Sequence, residues 1–301
     1  MADDGSLQQL LVRFMDYRLL LVSLLTLGVS ACGGSGGGEP SDSSAPGPPA
    51  EEDSSGLSFG SPGTSQIRPG VKVSSGNGSC TSNFIFRDSI NRLYIGAAAH
   101  CFSPDTNSGV DSCEAENAAI GSAITIENAT QSGTLVYSSW QSMKDNSETP
   151  GNEACVFNDF ALVEISRADY DNVHPSAIAW GGPTHLLTGN ADVNDQTYSY
   201  GQSSSHLGIR SQEEKDGPVT SQVTSGWQYN VSFDNPGLPG DSGSAVLHES
   251  GGALGVLTVV SANLLGPPVD NGVANLEMAL DYANDSLSRR FSLVTSDDFN
   301  P

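Results

Sequence analysis

From Ile67 onward the chain alternates short β-type runs with turn residues. The runs are FIFR (84–87), RLYIGAAA (92–99), SAITIE (122–127), TLVYSSW (134–140), FALVEI (160–165), TYSYG (197–201), WQYNVSF (227–233), SAVLH (244–248) and ALGVLTVVSA (253–262). Gly, Asn, Asp and Pro separate them. Runs this short, bounded by turn formers, predict a sandwich or barrel rather than βαβ units. Only ANLEMALDYANDSL (274–287) carries a helical period, with Leu276, Ala279, Leu280 and Ala283 on one face. Residues 288–301 read as a polar tail, and no internal repeat is present.

The N-terminal part has a different pattern. LLLVSLLTLGV (19–29) is apolar but too short to span a bilayer, which needs about 20 residues. It has the length of a signal-peptide core, and Arg13 and Arg18 precede it. The run ends in Val29-Ser30-Ala31-Cys32, followed by Gly33, and this resembles the lipobox of bacterial lipoproteins. The resemblance implies a signal peptide over 1–31 and a lipidated Cys32. An ordinary secretory signal with a chance cysteine is the plainer alternative. Asp3, Asp4 and Asp16 are unusual in such a leader, and Met15 offers a more compact start. Residues 33–66 are rich in Gly, Ser and Pro with almost nothing to bury, which predicts a disordered tether. Random-coil scaling gives it a reach of roughly 30–35 Å. Gly33 is not the aspartate that retains some lipoproteins at an inner membrane. The expected location is therefore an outer membrane or cell surface, with release from the anchor as an alternative.

Composition narrows the function. The chain has 35 acidic and 12 basic side chains, a net charge of -23. So few Lys and Arg argue against nucleic acid, which is held through basic phosphate contacts. The acidity itself reads as solubility in a salty or extracellular setting. The cysteines are Cys32, Cys80, Cys101, Cys113 and Cys155. No C-x-x-C pair occurs and none has a His at ligand spacing, so neither a metal nor a cofactor is expected. Four cysteines in one half of an exported domain predict two disulfides, with Cys32 left over.

Three stretches carry candidate chemistry. GLPGDSGSAV (237–246) places Ser242 in a Gly-rich turn before an apolar strand. Taken alone, that serine is a turn residue. YIGAAAHCF ends an apolar strand on His100, directly before a cysteine, and small residues at 96–99 permit close backbone packing. His248 ends a strand among polar residues, and His174, His185 and His206 sit in loop-like stretches. NDFALVEI opens an apolar strand on Asp159, a carboxylate that needs a partner if buried, and an imidazole N–H is a suitable one.

In chain order these stretches read His, Asp, Ser, and here the chain resembles the chymotrypsin-like (trypsin-like) serine proteases. The signatures are the strand ending AAHC, the Asn-Asp before an apolar strand, and GDSG. The order differs from that of α/β-hydrolases and subtilisins, and GDSGS fails the G-x-S-x-G elbow at Ser244. GGSGG at 33–37 fits that elbow but lies in the tether. The resemblance spans roughly 67–287. It implies an all-β fold of two antiparallel six-stranded barrels, 67–172 and 173–287, the second ending in a short C-terminal helix. Ser242 would be the nucleophile, His100 the base and Asp159 the residue that orients it. The backbone N–H groups of Gly240 and Ser242 would form the oxyanion hole. Cys80 would bridge to Cys101 beside the histidine, and Cys113 and Cys155 would form the second disulfide. The implied partner is a protein or peptide substrate, and the chain is expected to act as a monomer.

Departures from the pattern lie outside the triad. Ala97 replaces a threonine, and Ser244 a glycine. Pro236 stands at the base of the expected specificity pocket, which Thr258, Ser261 and Gly272 would also line. With no aspartate there, cleavage after Lys or Arg is not supported, and an apolar or small residue is expected before the scissile bond. The strand that binds substrate backbone should lie within TVVSAN (258–263), and Thr258 or Ser261 would support Asp159. The resemblance implies a cation for Asp241: in zymogen-type relatives this aspartate pairs with a freed N-terminal amine, which cleavage before Ile67 would supply, and in an uncleaved chain Arg68 or Arg210 would serve instead. The rival to the enzyme reading is an inactive protease fold used as a surface binding module; a surface protein with chance motifs ranks behind it.

Overall fold

A computed structural model describes residues 59–76, 78–104, 112–260 and 270–301. The leader, Cys32, the tether as far as residue 58 and Ser261 lie outside the described residues.

Each of the β-type runs supplies a strand. The first barrel is built from β1 (Lys72–Ser74), β2 (Ser79–Thr81), β3 (Ile85–Asp88), β4 (Leu93–Ala97), β5 (Ala123–Ile126), β6 (Gly133–Ser138) and β7 (Ala161–Glu164). These pair in the order β3-β4-β7-β6-β5-β1-β2. β2 and β3 are one chain segment bent at 82–84. Ser82 N donates to Val71 O (2.8 Å) on one side of the bend, and Asn83 N to Gly96 O (2.8 Å) on the other. Counted as one strand, this segment closes a ring of six. Alternation sets the faces: in β5, Ile124 and Ile126 point inward and Ala123 and Thr125 outward.

The second barrel uses β8 (His185–Leu186), β9 (Gln196–Tyr200), β10 (Glu214–Gln222), β11 (Gln228–Val231), β12 (Ala245–His248), β13 (Gly252–Val260) and β14 (Asn271–Asn275). β12-β9-β10-β11-β14-β13 runs back to β12 through a direct β12–β13 pairing, a closed six-stranded ring, while β8 adds to β13 in parallel. Its core is Val219, Tyr229, Val231, Phe233, Val246, Leu254, Leu257 and Val273. The architecture is therefore the expected pair of six-stranded antiparallel barrels.

Helices are short: α1 (Ser139–Asp145), α2 (Glu153–Phe157), α3 (Arg210–Glu213) and α4 (Leu276–Ser286). In α4 the predicted face Leu276, Ala279, Leu280 and Ala283 is the buried one, and Asn275 caps the helix by accepting from Met278 N.

The expected polar tail requires correction. Within it, β15 (Phe291–Leu293) pairs antiparallel with β3, and Phe291 and Val294 are buried. Asp298 accepts from Ser176 Oγ (2.6 Å) and Gly182 N (3.0 Å), so the C-terminus straps the segment between the barrels.

Candidate active site

Strand register brings His100 and Asp159 together. β4 pairs antiparallel with β7, and Ala97 lies opposite Ala161. His100 therefore follows the end of β4, in a 3-10 turn (Ala99–Phe102), just where Asp159 precedes the start of β7. Asp159 Oδ2 is 2.5 Å from His100 Nδ1, and Oδ1 accepts from His100 N at 2.9 Å. Both carboxylate oxygens thus hold one residue, which fixes the ring and leaves Nε2 for other partners. Asp159 is buried, whereas 30% of the His100 side chain is exposed. Burial disfavours the imidazolium, but the Asp159 charge and hydrogen bond outweigh it, and the His100 pKa is raised above its ordinary 6.5. The Trp140 ring of α1 flanks the histidine at 6.4 Å.

The serine arrives from the second barrel on a turn docked against the first. Thr81 N donates to Ser242 O (3.0 Å), Thr81 Oγ1 to Gly240 O (2.9 Å) and Asn83 Nδ2 to Gly243 O (3.2 Å). Cys80, next to Thr81, is bonded to Cys101, next to His100. One disulfide therefore ties the strand that seats the serine turn to the residue beside the histidine. The Cys101 sulfur lies 3.9 Å from Ser242 O. Gly243, at φ +88°, fits where no side chain can, since a Cβ there would sit 2.4 Å from Thr81 O. Among the described residues Ser242 Oγ has no hydrogen-bond partner, so its bond to His100 Nε2 is not made here. Such contacts commonly tighten only with substrate bound. The second disulfide joins Cys113 and Cys155, just before Asp159.

A family model for the trypsin-like peptidase domain matches residues 48–256, more than half of the chain. The chain belongs to the trypsin-like peptidase family. Among solved structures it is similar to Thermobifida fusca protease A at 18% identity and a TM-score of 0.50. That match covers 76% of this chain and 99% of the other. It is also similar to Cellulomonas bogoriensis chymotrypsin at 15% identity and a TM-score of 0.48, covering 76% and 99%. At 18% identity the likeness to the Thermobifida protease is one of fold. No curated protein matches the chain.

In this trypsin-like peptidase the residue before the serine is fully buried, and its cation is neither Arg68 nor Arg210. Asp241 Oδ2 lies 3.1 Å from Lys215 Nζ and 2.8 Å from His206 Nε2; Leu238 N donates to it and Ser203 N to Oδ1 (both 2.9 Å). Four donors saturate the carboxylate. His206 must carry a proton on Nε2 to donate, so its 3.4 Å approach to Lys215 is a donor–donor contact. Burial lowers the Lys215 pKa, and the charges of Asp241 and Glu213 oppose that shift. Neither arginine expected to serve in an uncleaved chain takes part. Ile67 is buried, with its N–H on Asn172 O. Arg68 donates to Ser176 and Ala177, and Arg210 pairs with Glu214. Lys215 escaped the sequence reading because QEEKDG looks like a solvated charge run. The usable signal was period two: counting back from the inward Val219 gives Gly217 and then Lys215.

The expected pocket residues are only partly brought together. Thr258 and Gly272 are buried on adjacent strands, joined by Thr258 Oγ1 to Gly272 O at 3.3 Å. Thr258 thus bonds Gly272; Ser261, the other residue expected to support Asp159, lies outside the described residues. Pro236 is exposed, in a loop tied to β14 through Gly237 N and Asn271 Oδ1 (2.9 Å). The space over Gly272 is taken by Gln228, whose Oε1 would be 2.9 Å from a Cβ there.

Among the described residues, two clusters have ligand-type side chains. One is His100 with Cys80 and Cys101, whose sulfurs are bonded to each other and are not thiolates. The other is Asp195, His248 and Glu249 at the surface. Asp195 and His248 bond each other at 3.0 Å, and Glu249 accepts from Gln196 N.

Proposed function

We propose that this chain is a serine endopeptidase that cleaves protein or peptide substrates through an acyl-enzyme. Ser242 attacks the scissile carbonyl, and His100 Nε2 takes its proton and passes it to the leaving amine. Asp159 holds the ring and stabilises the imidazolium, while the N–H groups of Gly240 and Ser242 take the oxyanion. The single observation that carries this reading is the Asp159 carboxylate bound to both the ring and the backbone N–H of His100, beside the turn that bears Ser242.

The saturated Asp241 supports activity in the uncleaved chain, without processing before Ile67. Two disulfides favour an exported protein, and we place it at a membrane surface through lipid on Cys32, acting as a monomer. A fluorophosphonate probe tests the chemistry. It should label the wild type and leave Ser242→Ala and His100→Ala unlabelled. Labelling that survives Ser242→Ala sinks the assignment, and a folded wild type that never labels favours the binding-module reading. N-terminal sequencing of active material tests the processing: a start at Ile67 refutes it.

A further inference from the structure

We infer that Ser203, outside the triad and its turn, positions the oxyanion hole by fixing the plane of the Pro239–Gly240 peptide. This rests on the peptidase reading above. Ser203 Oγ donates to Pro239 O at 2.6 Å, and the hydroxyl itself accepts from Ser205 N at 3.1 Å, which directs its one proton at that carbonyl. The Pro239–Gly240 bond is trans. In a trans peptide C=O and N–H point in opposite directions, so holding Pro239 O toward Ser203 turns Gly240 N–H away from it.

The next two peptides are fixed in the same way. Gly240 O accepts from Thr81 Oγ1 (2.9 Å), and Asp241 N on the far side of that peptide donates to Leu238 O (2.8 Å). Asp241 O accepts from Ser244 N (3.1 Å) and Ser244 Oγ (2.6 Å). Three successive carbonyls are therefore occupied. Among the described residues, neither Gly240 N nor Ser242 N donates a hydrogen bond. Those are the two donors an oxyanion needs.

Of the three anchors, Ser203 controls the softest hinge. Gly240 sits at φ +105°, and glycine has no steric barrier against rotating the preceding peptide. A flip would aim Pro239 O into the hole and Gly240 N–H at Ser203. The Ser203 hydroxyl opposes this, and its backbone N–H on Asp241 Oδ1 (2.9 Å) ties the same residue to the buried ion cluster. The packing is tight: a Cβ on Gly240 would lie 3.1 Å from Ser203 Cα.

The test is steady-state kinetics of full-length Ser203→Ala and Ser203→Thr on a peptide substrate. Rates are expressed per site titrated to completion with a fluorophosphonate, so poor folding lowers yield and not the ratio. Ser203→Ala should lose about tenfold in kcat, less than the 10²–10³-fold of a deleted donor, with KM unchanged. Affinity for a peptide boronate, which forms the tetrahedral adduct, should fall by the same factor. The acid limb of the pH profile should not move, since His100 and Asp159 are untouched. Ser203→Thr, which keeps the hydroxyl, should recover most of the rate. Wild-type kcat in Ser203→Ala, an effect on KM alone, or a Thr variant as slow as the Ala variant would each overturn the inference. A wild type that takes no label and cleaves nothing would instead remove the peptidase reading beneath it.

Discussion

Replacing Lys215 by methionine tests whether the buried cluster at Asp241 holds the serine turn. Lys215 and Asp241 are both wholly inaccessible, and their charged atoms are 3.1 Å apart. Methionine keeps the length of the stem and removes the charge and the donor. Asp241 would keep Ser203 N, Leu238 N and His206 Nε2, so it stays hydrogen-bonded but loses its ammonium. Removing one partner of a buried pair costs about 3–5 kcal/mol, because a charge is left uncompensated. That is a large share of a total of roughly 5–15 kcal/mol. At about 2–4 °C per kcal/mol for a domain of this size, the melting midpoint should drop by about 6–20 °C. The control is Arg210→Met. The Arg210 side chain is 71% exposed and pairs with Glu214 at the start of β10, so its loss should change stability by less than about 0.5 kcal/mol. Urea unfolding followed by tryptophan fluorescence measures both variants. Equal losses in the two, or a Lys215→Met loss under about 1 kcal/mol, would refute Lys215 as the counter-ion of Asp241.

On the proposed mechanism the raised His100 pKa should place the acid limb of kcat/KM above the ordinary histidine value, because a protonated ring could not accept the serine proton. Asp159→Asn removes both causes that raise it and leaves only burial, so a pH–rate profile should show the limb at lower pH and kcat down about 10⁴-fold. The Cys113–Cys155 bridge closes a loop with a sequence separation of 42, worth about 4 kcal/mol in the loop-entropy model. Cys113→Ser/Cys155→Ser should lose about that much in urea unfolding, and intact mass of the native protein under non-reducing conditions should show four oxidised thiols. Phe291 is buried with its ring 5.0 Å from Tyr94, so Phe291→Ala should cost about 3–5 kcal/mol by thermal unfolding. A neutral result would return residues 288–301 to the status of a tail.

The sequence shows what depends on local pattern. The run FALVEI reads as a buried strand because it lies at the centre of a barrel wall, between β4 and β6. The amphipathic face of α4 follows directly from its spacing. β10 is not legible, because EKDGPV combines charges, Gly and Pro, yet it pairs with β9 from Glu214 to Pro218. Tertiary contact overrides propensity there. β15 was missed for the opposite reason: FSL is too short to stand out, and β3 supplies its partner from the far end of the chain. In the site, His100 and Asp159 were readable because each closes or opens an apolar strand. His206, Ser203 and Thr81 were not, since each matters only through a contact with the serine turn; the period of β10 places Lys215 inward but does not name Asp241 as its partner.

The buried cluster makes sense as orientation rather than as stabilisation. Burying an ammonium and a carboxylate seldom gains stability over well-packed apolar side chains, since desolvation cancels most of the attraction. A methionine–leucine pair could fill the same volume. It could not supply what Asp241 receives: donors from three segments, at Ser203 and His206, Lys215 and Leu238, that converge on one carboxylate. Those bonds have direction, and the carboxylate they fix is one residue from Ser242. Thr81 and Asn83 grip the other side of the same turn from the first barrel. The turn is thus held between two barrels by polar contacts whose geometry, unlike apolar packing, leaves little rotational freedom to the peptides at 239–242. Under the proposed peptidase reading, the donors at Gly240 and Ser242 would be set by folding alone, and activity would need no later cleavage.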